Sequence, residues 1–266
     1  MLKVDNITVE YDGVPVLEDF SLDLSTGQVV CLVGESGSGK TTVIRAILGL
    51  LPEGGTVSRG DILFEGKSLL HSEASYVESL RGRDITMIFQ DSGAMIDPIS
   101  TIGSQFIEYI RAHDRSLSKR QTYQRAAQML TQMRLPDADN VMHSYPFQLS
   151  GGMRQRVGIA MAMTFEPKLL LADEPTSALD VTTQAQIVRQ MMDLHIYHQT
   201  SIIIVTHNLG VAAYMSDLSD RILVMKKGRV VESGNREEIL HHPKDPYTKE
   251  LLAAIPTMEG EVYVDQ

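Results

Sequence analysis

The 266 residues carry 24 Lys+Arg against 34 Asp+Glu, a formal charge of −10, and this acidic balance speaks against an extended nucleic-acid-binding face, which needs clustered positive charge. With 43% hydrophobic and 22% charged residues the chain can bury the core of one large or two small domains, which excludes global disorder. Its single cysteine, Cys31, rules out an internal disulfide and any Cys-ligated zinc or iron–sulfur site, and points to a reducing compartment, the cytosol by default. Residues 1–6 set an acid where a secretory signal needs an apolar core, and the longest weakly polar run, Val157 to Phe165, is about half the ~18 residues of a spanning helix, so neither export nor membrane spanning is expected.

No repeat of 20–50 residues is visible, which leaves no ground for a solenoid or propeller. Leu2 to Val9 alternates apolar and polar residues, Asp12-Gly13 is a turn signal, and Val16 to Leu24 resumes the alternation, which predicts an antiparallel hairpin. Val29 to Val33 is short and wholly apolar, the pattern of a buried parallel strand. A Gly-rich loop and a helical pattern from Lys40 to Leu50 follow it. Strand-like runs recur at Asp61 to Phe64, Ile85 to Phe89, Leu169 to Ala172, Ser201 to Val205 and Arg221 to Met225, so an α/β sheet is expected. Between Gln90 and Glu166 strand signals vanish; Gly103 to Arg111, Lys119 to Met133 and Gly151 to Phe165 read as helices, punctuated by Pro98, Pro136 and Pro146. A helical subdomain is expected there.

Gly34-Glu35-Ser36-Gly37-Ser38-Gly39-Lys40-Thr41 fits G-x-x-x-x-G-K-[ST], the P-loop, in the strand-to-helix context that the motif requires. There backbone N–H groups and a helix N-terminus wrap phosphates, the lysine reaches the β- and γ-phosphates, and the threonine hydroxyl goes to Mg²⁺. Leu169 to Ala172 is an apolar strand ending in Asp173-Glu174. Alternation lets the two carboxylates take separate tasks, Asp173 in the Mg²⁺ shell and Glu174 polarising the attacking water.

Leu149-Ser150-Gly151-Gly152-Met153-Arg154-Gln155 resembles the LSGGQ signature of ATP-binding-cassette (ABC) ATPases, with Met153 in place of the usual Gln. Other marks of that family fall in order: Gln90 at the Q-loop position, Ser177-Ala178-Leu179-Asp180 at the D-loop, and His207 at the switch histidine. Tyr11 sits where the family places an aromatic on adenine, with a tyrosine packed on its own turn as the alternative. The resemblance implies an α/β P-loop NTPase, an ABC-type nucleotide-binding domain with an antiparallel β subdomain and an inserted helical subdomain. It implies an ATPase domain over residues 1–256, the helical part at about 91–166, and an acidic C-terminal tail at 257–266. Its cofactors would be ATP and Mg²⁺. Gly34, Ser36, Gly37, Ser38, Gly39, Lys40, Thr41 and Thr42 would cradle the nucleotide. Ser150, Gly151, Gly152 and Asp180 would act on the nucleotide of a facing cassette. Thr41, Gln90 and Asp173 would hold the metal; Glu174, His207, Gln90 and Lys40 would carry catalysis.

Within the family, Gly49-Leu50-Leu51-Pro52, Tyr145-Pro146-Phe147-Gln148-Leu149-Ser150 and His242 to Leu252 are similar to the peptide and nickel importer branch. That branch implies a second, different ATPase subunit, two integral-membrane permease subunits, indirect service to an extracytoplasmic substrate-binding protein, and no nucleic-acid partner. It places the chain peripherally on the cytoplasmic face of the membrane, with the loop from Asp91 to Ile102 receiving a permease helix. The rivals are a soluble ATPase of a multi-protein assembly such as one resembling the phosphonate carbon–phosphorus lyase, and a DNA-repair or translation ATPase. His195, His198, His241 and His242 lack companion ligand spacing and are expected as surface helix residues. Met161, Met163, Met191 and Met192 are expected as core filler and Cys31 as inert.

Overall fold

The structure is a computed structural model that describes residues 1–90, 95–176, 181–207 and 221–254. The chain divides into two units, Met1–Val77 with Ile203–Gln266, and Glu78–Ile202. The first unit opens with β1 (Leu2–Tyr11) and β2 (Val14–Leu24), joined at Asp12-Gly13. Both turn residues have positive φ, 50° and 79°, the primed two-residue turn whose twist matches the flanking strands. The buried core strand β3 (Val29–Val33) and α1 (Lys40–Leu48) follow; Val43, Ile44, Ala46, Ile47 and Leu48 of α1 are buried, and Gly49 at φ 63° ends the helix. β4 (Gly55–Phe64) starts six residues before the expected Asp61, and it lies in the antiparallel sheet rather than the α/β one, pairing Leu2 with Phe64 and Tyr11 with Gly55. Residues 55–60 show no apolar alternation, so their strand conformation comes from the partner β1 and not from their own pattern. A short β5 (Lys67–Ser68) completes the order β2-β1-β4-β5, and α2 (Ala74–Leu80) leads onward.

In the second unit β6 (Ile85–Ile88) pairs in parallel with β7 (Leu169–Asp173), the one near-continuously and the other wholly buried. Between them come α3 (Ile102–His113), α4 (Lys119–Gln132), α5 (Ala138–His143), a 3₁₀ turn at Pro146–Gln148 and α6 (Gly151–Met163), the helical region that the loss of strand pattern predicts. Ser118 caps α4 with a reciprocal Ser118/Gln121 box. α3 packs on α4 and α5, and α4 on α6, around Phe106, Ile110, Ala126, Leu130, Val157 and Ile159, each 0% exposed. α7 (Val181–His198) follows the segment after β7.

β8 (Ser201–Thr206) returns the chain to the first unit, where β9 (Arg221–Lys226) and β10 (Arg229–Gly234) join β3 in the order β10-β9-β3-β8. β9 runs parallel to β3, and β10 folds back antiparallel on β9. α8 (Arg236–Leu240) and α9 (Pro246–Ala253) close the unit. Among the described residues no helix is long and apolar enough to cross a membrane.

The expectations for two histidines also change. His195 is buried, with Nδ1 2.5 Å from the Thr200 carbonyl oxygen, and the His198 side chain is only 6% exposed, 3.6 Å from Glu166. They are therefore not surface residues: the C-terminal half of α7 turns Met191, Met192 and Leu194 into the core, and the imidazoles lie on that side while Ile196 and Tyr197 face outward. Met163, Met191, Met192 and Cys31 are buried as expected, while Met161 is half-buried.

Candidate functional site

In the first unit the chain leaves β3 at Val33 and turns through residues 34–39 into α1. A Cβ on Gly34 would stand 2.2 Å from the Met225 carbonyl oxygen, so the loop passes β9 this closely only with glycine. Gly37 and Gly39 take φ of 80° and 100°, which strains any residue bearing a Cβ. Gly39 caps α1 without a side-chain acceptor, and a helix opened in this way turns its positive end toward an anion. Ser36 and Gly37 are exposed; Ser38 is buried; Thr41 and Thr42 form the half-buried first turn of α1.

Lys40 is 5% exposed, and its Nζ donates to the carbonyl oxygens of Gly34 and Glu35, both at 2.7 Å, and to Ser38 Oγ at 3.2 Å. The burial of this cation is thus compensated by three oxygens of the loop it follows. The loop is also tied to the β9–β10 turn: Gly228 N–H donates to the Ser38 carbonyl at 3.0 Å, and the Gly228 carbonyl accepts from Glu18 N–H at 2.9 Å. A Cβ on Gly228 would lie 2.4 Å from the Val16 carbonyl oxygen. The Lys227-Gly228 turn signal is present in the sequence, but its contact with the P-loop is not legible there. In the same unit His207 is exposed directly after β8, which neighbours β3. Tyr11 ends β1, and its Cε1 would be 2.7 Å from a Cβ on Gly55, so its ring lies against the start of β4. Tyr11 is half-buried.

In the second unit β7 ends on Asp173, 8% exposed, and Glu174 follows at φ 46°. A positive φ is unfavourable for glutamate and persists only where the surroundings hold it. They do: Gln90 Nε2 donates to Glu174 Oε2 at 3.2 Å, Gln155 Nε2 of α6 to the Pro175 carbonyl at 2.5 Å, and Gln184 Nε2 of α7 to the Thr176 carbonyl at 2.9 Å. Gln90, which the sequence places only at a strand end, thus touches the carboxylate it is expected to work with. Ser150 caps α6, accepting from Met153 N–H at 3.3 Å, with Ser150 and Gly151 exposed at the helix start. A Cβ on Gly152 would stand 3.0 Å from Thr183 Cγ2, so the glycine lets the starts of α6 and α7 approach. Thr41 in the first unit, and Asp173 and Gln90 in the second, each carry an oxygen donor of the kind that a hard cation such as Mg²⁺ takes. Asp180 lies outside the described residues, as do residues 91–94 of the expected permease-contacting loop and the tail 257–266.

The sequence profile described as ABC transporter matches residues 17–177. The dipeptide transport ATP-binding protein DppD of Lactococcus lactis subsp. cremoris is 40% identical over 98% of this chain and 75% of its own length. The oligopeptide transport ATP-binding protein OppD of Bacillus subtilis is 42% identical over 98% of this chain and 73% of its own. Among solved structures, the dimeric ATP-binding cassette MJ0796 bound to ADP and Pi superposes with a TM-score of 0.77 at 27% identity, covering 89% of this chain and 99% of that one. A P-loop built on glycine, a strand-end carboxylate held by Gln90, and a Ser-Gly-Gly helix start, together with these relatives, establish that the chain belongs to the ABC transporter family as one of its ATP-binding proteins.

Proposed function

We propose that this chain binds Mg·ATP and hydrolyses it to energise import through separate permease subunits, with peptides as the cargo. The observations that carry the reading lie one in each unit: a P-loop whose buried Lys40 is held by the oxygens of its own loop, and a strand-end carboxylate, Glu174, held by Gln90. In this reading Lys40 and the loop amides take the phosphates, and Thr41, Asp173 and Gln90 hold the cation. When bound, Mg²⁺ neutralises charge on the transferred phosphoryl group. Glu174 accepts a proton from the attacking water, His207 holds the γ-phosphate geometry, and Tyr11 stacks on the adenine.

Names of relatives at about 40% identity favour peptides over nickel as cargo, and favour the transporter over a soluble enzyme assembly. The solved cassette of similar fold is dimeric, which supports a second cassette facing this one and reading its nucleotide with Ser150, Gly151, Gly152 and Asp180. The expected permease contact is supported by exposed Met95 and Ile99, 63% and 84% exposed. Ile99 stands on a pinned loop: Asp97 accepts from Ile99 N–H and from Ser100 Oγ, and Gln105 bonds the main chain of Asp97 and Ser100. An isoleucine held out in water on a fixed loop suits a partner helix. In this reading the chain sits peripherally on the cytoplasmic face of the membrane.

The test is Glu174→Gln in the assembled transporter. It keeps size and removes the base, so turnover and uptake of labelled dipeptide should fall about 10²- to 10⁴-fold while ATP binding persists. Hydrolysis near the wild-type rate would remove Glu174 from its role, and a wild-type complex that accumulates nickel but no peptide would overturn the cargo assignment.

A further inference from the structure

The segment His242 to Leu252 is distinctive in sequence but has no part in the nucleotide motifs. It is firmly docked. Glu232 of β10 accepts from the N–H groups of Lys244 at 2.8 Å and Asp245 at 3.1 Å. Asp245 caps α9, accepting from Tyr247 N–H at 2.8 Å, with Pro246 in the first turn. This entry drives Tyr247 inward: it is 3% exposed, and Lys226 Nζ lies 4.2 Å from its ring centroid. At the buried tip the phenolic oxygen accepts from Glu35 N–H at 2.9 Å.

Glu35 N–H and the Gly34 carbonyl belong to one peptide unit of the P-loop. The carbonyl end accepts from Lys40 Nζ at 2.7 Å and the amide end donates to Tyr247, so this peptide is held at both poles by two side chains. The two holds differ in permanence. An ammonium that turns to a phosphate relinquishes loop carbonyls, whereas the phenol has no competing partner among the phosphates. Burial pushes the Tyr247 hydroxyl above its usual pKa, so it stays neutral at physiological pH.

We propose that Tyr247 is a positioning residue for nucleotide binding, its hydroxyl keeping the Gly34–Glu35 peptide in the phosphate-binding shape while Lys40 engages ATP. The C-terminal segment thereby becomes part of the P-loop's support. This rests on the ATP-binding reading of the loop.

Tyr247→Phe deletes one oxygen and keeps the ring, its burial and its cation. In the full chain, titration with a fluorescent ATP analogue should show affinity weakened about 3- to 10-fold, the range for one hydrogen bond. Amide exchange at Glu35, read by NMR, should accelerate, while the melting midpoint falls by only about 2–4 °C. A merely structural role would lower the midpoint without singling out Glu35 or the nucleotide. Unchanged affinity in the folded variant overturns the proposal. Should that variant not fold, nucleotide-free wild type decides: protection of Glu35 N–H supports the bond, and free exchange there overturns it. A wild-type chain that binds no ATP defeats the ATP-binding reading itself and this proposal with it, an outcome distinct from any failure of the variant.

Discussion

Lys40 shows how a loop can hold a buried cation with its own oxygens. Its ammonium is buried against oxygens of Gly34, Glu35 and Ser38, a geometry that stores the charge beside the helix N-terminus where a phosphate would arrive. Lys40→Ala removes the charge-assisted contacts to phosphate and leaves two loop carbonyls without that donor. Hydrogen bonds to charged groups contribute about 1.5–3 kcal/mol each, so ATP affinity should fall at least ~10-fold in a nucleotide titration. Equal affinity and equal turnover would mean that the loop is not a phosphate site. Glu174 makes a complementary point: its residue type was legible at a strand end, but its positive φ and its contact with Gln90 depend on α6 and α7 holding residues 175 and 176.

Among the elements, α9 depends on a neighbour more than on its own length, since eight residues form a marginal helix alone. Burial raises the Glu232 carboxyl, but the hydrogen bonds it accepts from the N–H groups of Lys244 and Asp245 and the Lys244 charge outweigh this, so its pKa lies below the ordinary 4.5. A depressed carboxyl contributes stability above its unfolded value that is lost as pH falls through the folded one. The α9 segment should therefore loosen first when the pH drops below about 4.5, with amide protection at 244 and 245 lost ahead of β3. Glu232→Gln should show the same loosened amides at neutral pH and no further change on acidification. If those amides exchange alike in variant and wild type, the carboxylate does not dock the segment.

For the whole molecule the decisive property is partnership. On the proposed arrangement, in which the signature serine of one cassette serves the nucleotide of another, the isolated chain should bind ATP yet hydrolyse it slowly until a second cassette and the permeases are present. Ser150→Arg replaces the small N-cap of α6 with a bulky side chain, so in a mixed complex hydrolysis should be lost at the partner's P-loop, with binding at Lys40 intact. Site-resolved nucleotide trapping reads the two separately. Loss confined to the Lys40 site would overturn the facing-cassette reading.

Local pattern determined a good deal of this protein unaided. The Asp12-Gly13 hairpin, the apolar strands β3, β7 and β8, and the helices α3, α4 and α6 follow from periodicity and turn chemistry, which act within a few residues. The P-loop was equally legible because phosphate binding demands glycines and a lysine at fixed spacing along one turn. Tertiary structure decided what spacing cannot express. β4 is a strand back to Gly55 because β1 pairs with it; His195 is buried because the end of α7 packs into the core; and Glu174 holds a disfavoured φ because three glutamines grip its surroundings. The bond from Tyr247 to Glu35 spans 212 positions, a contact that no local propensity encodes, since only the docking of α9 through Glu232 brings the phenol to the loop.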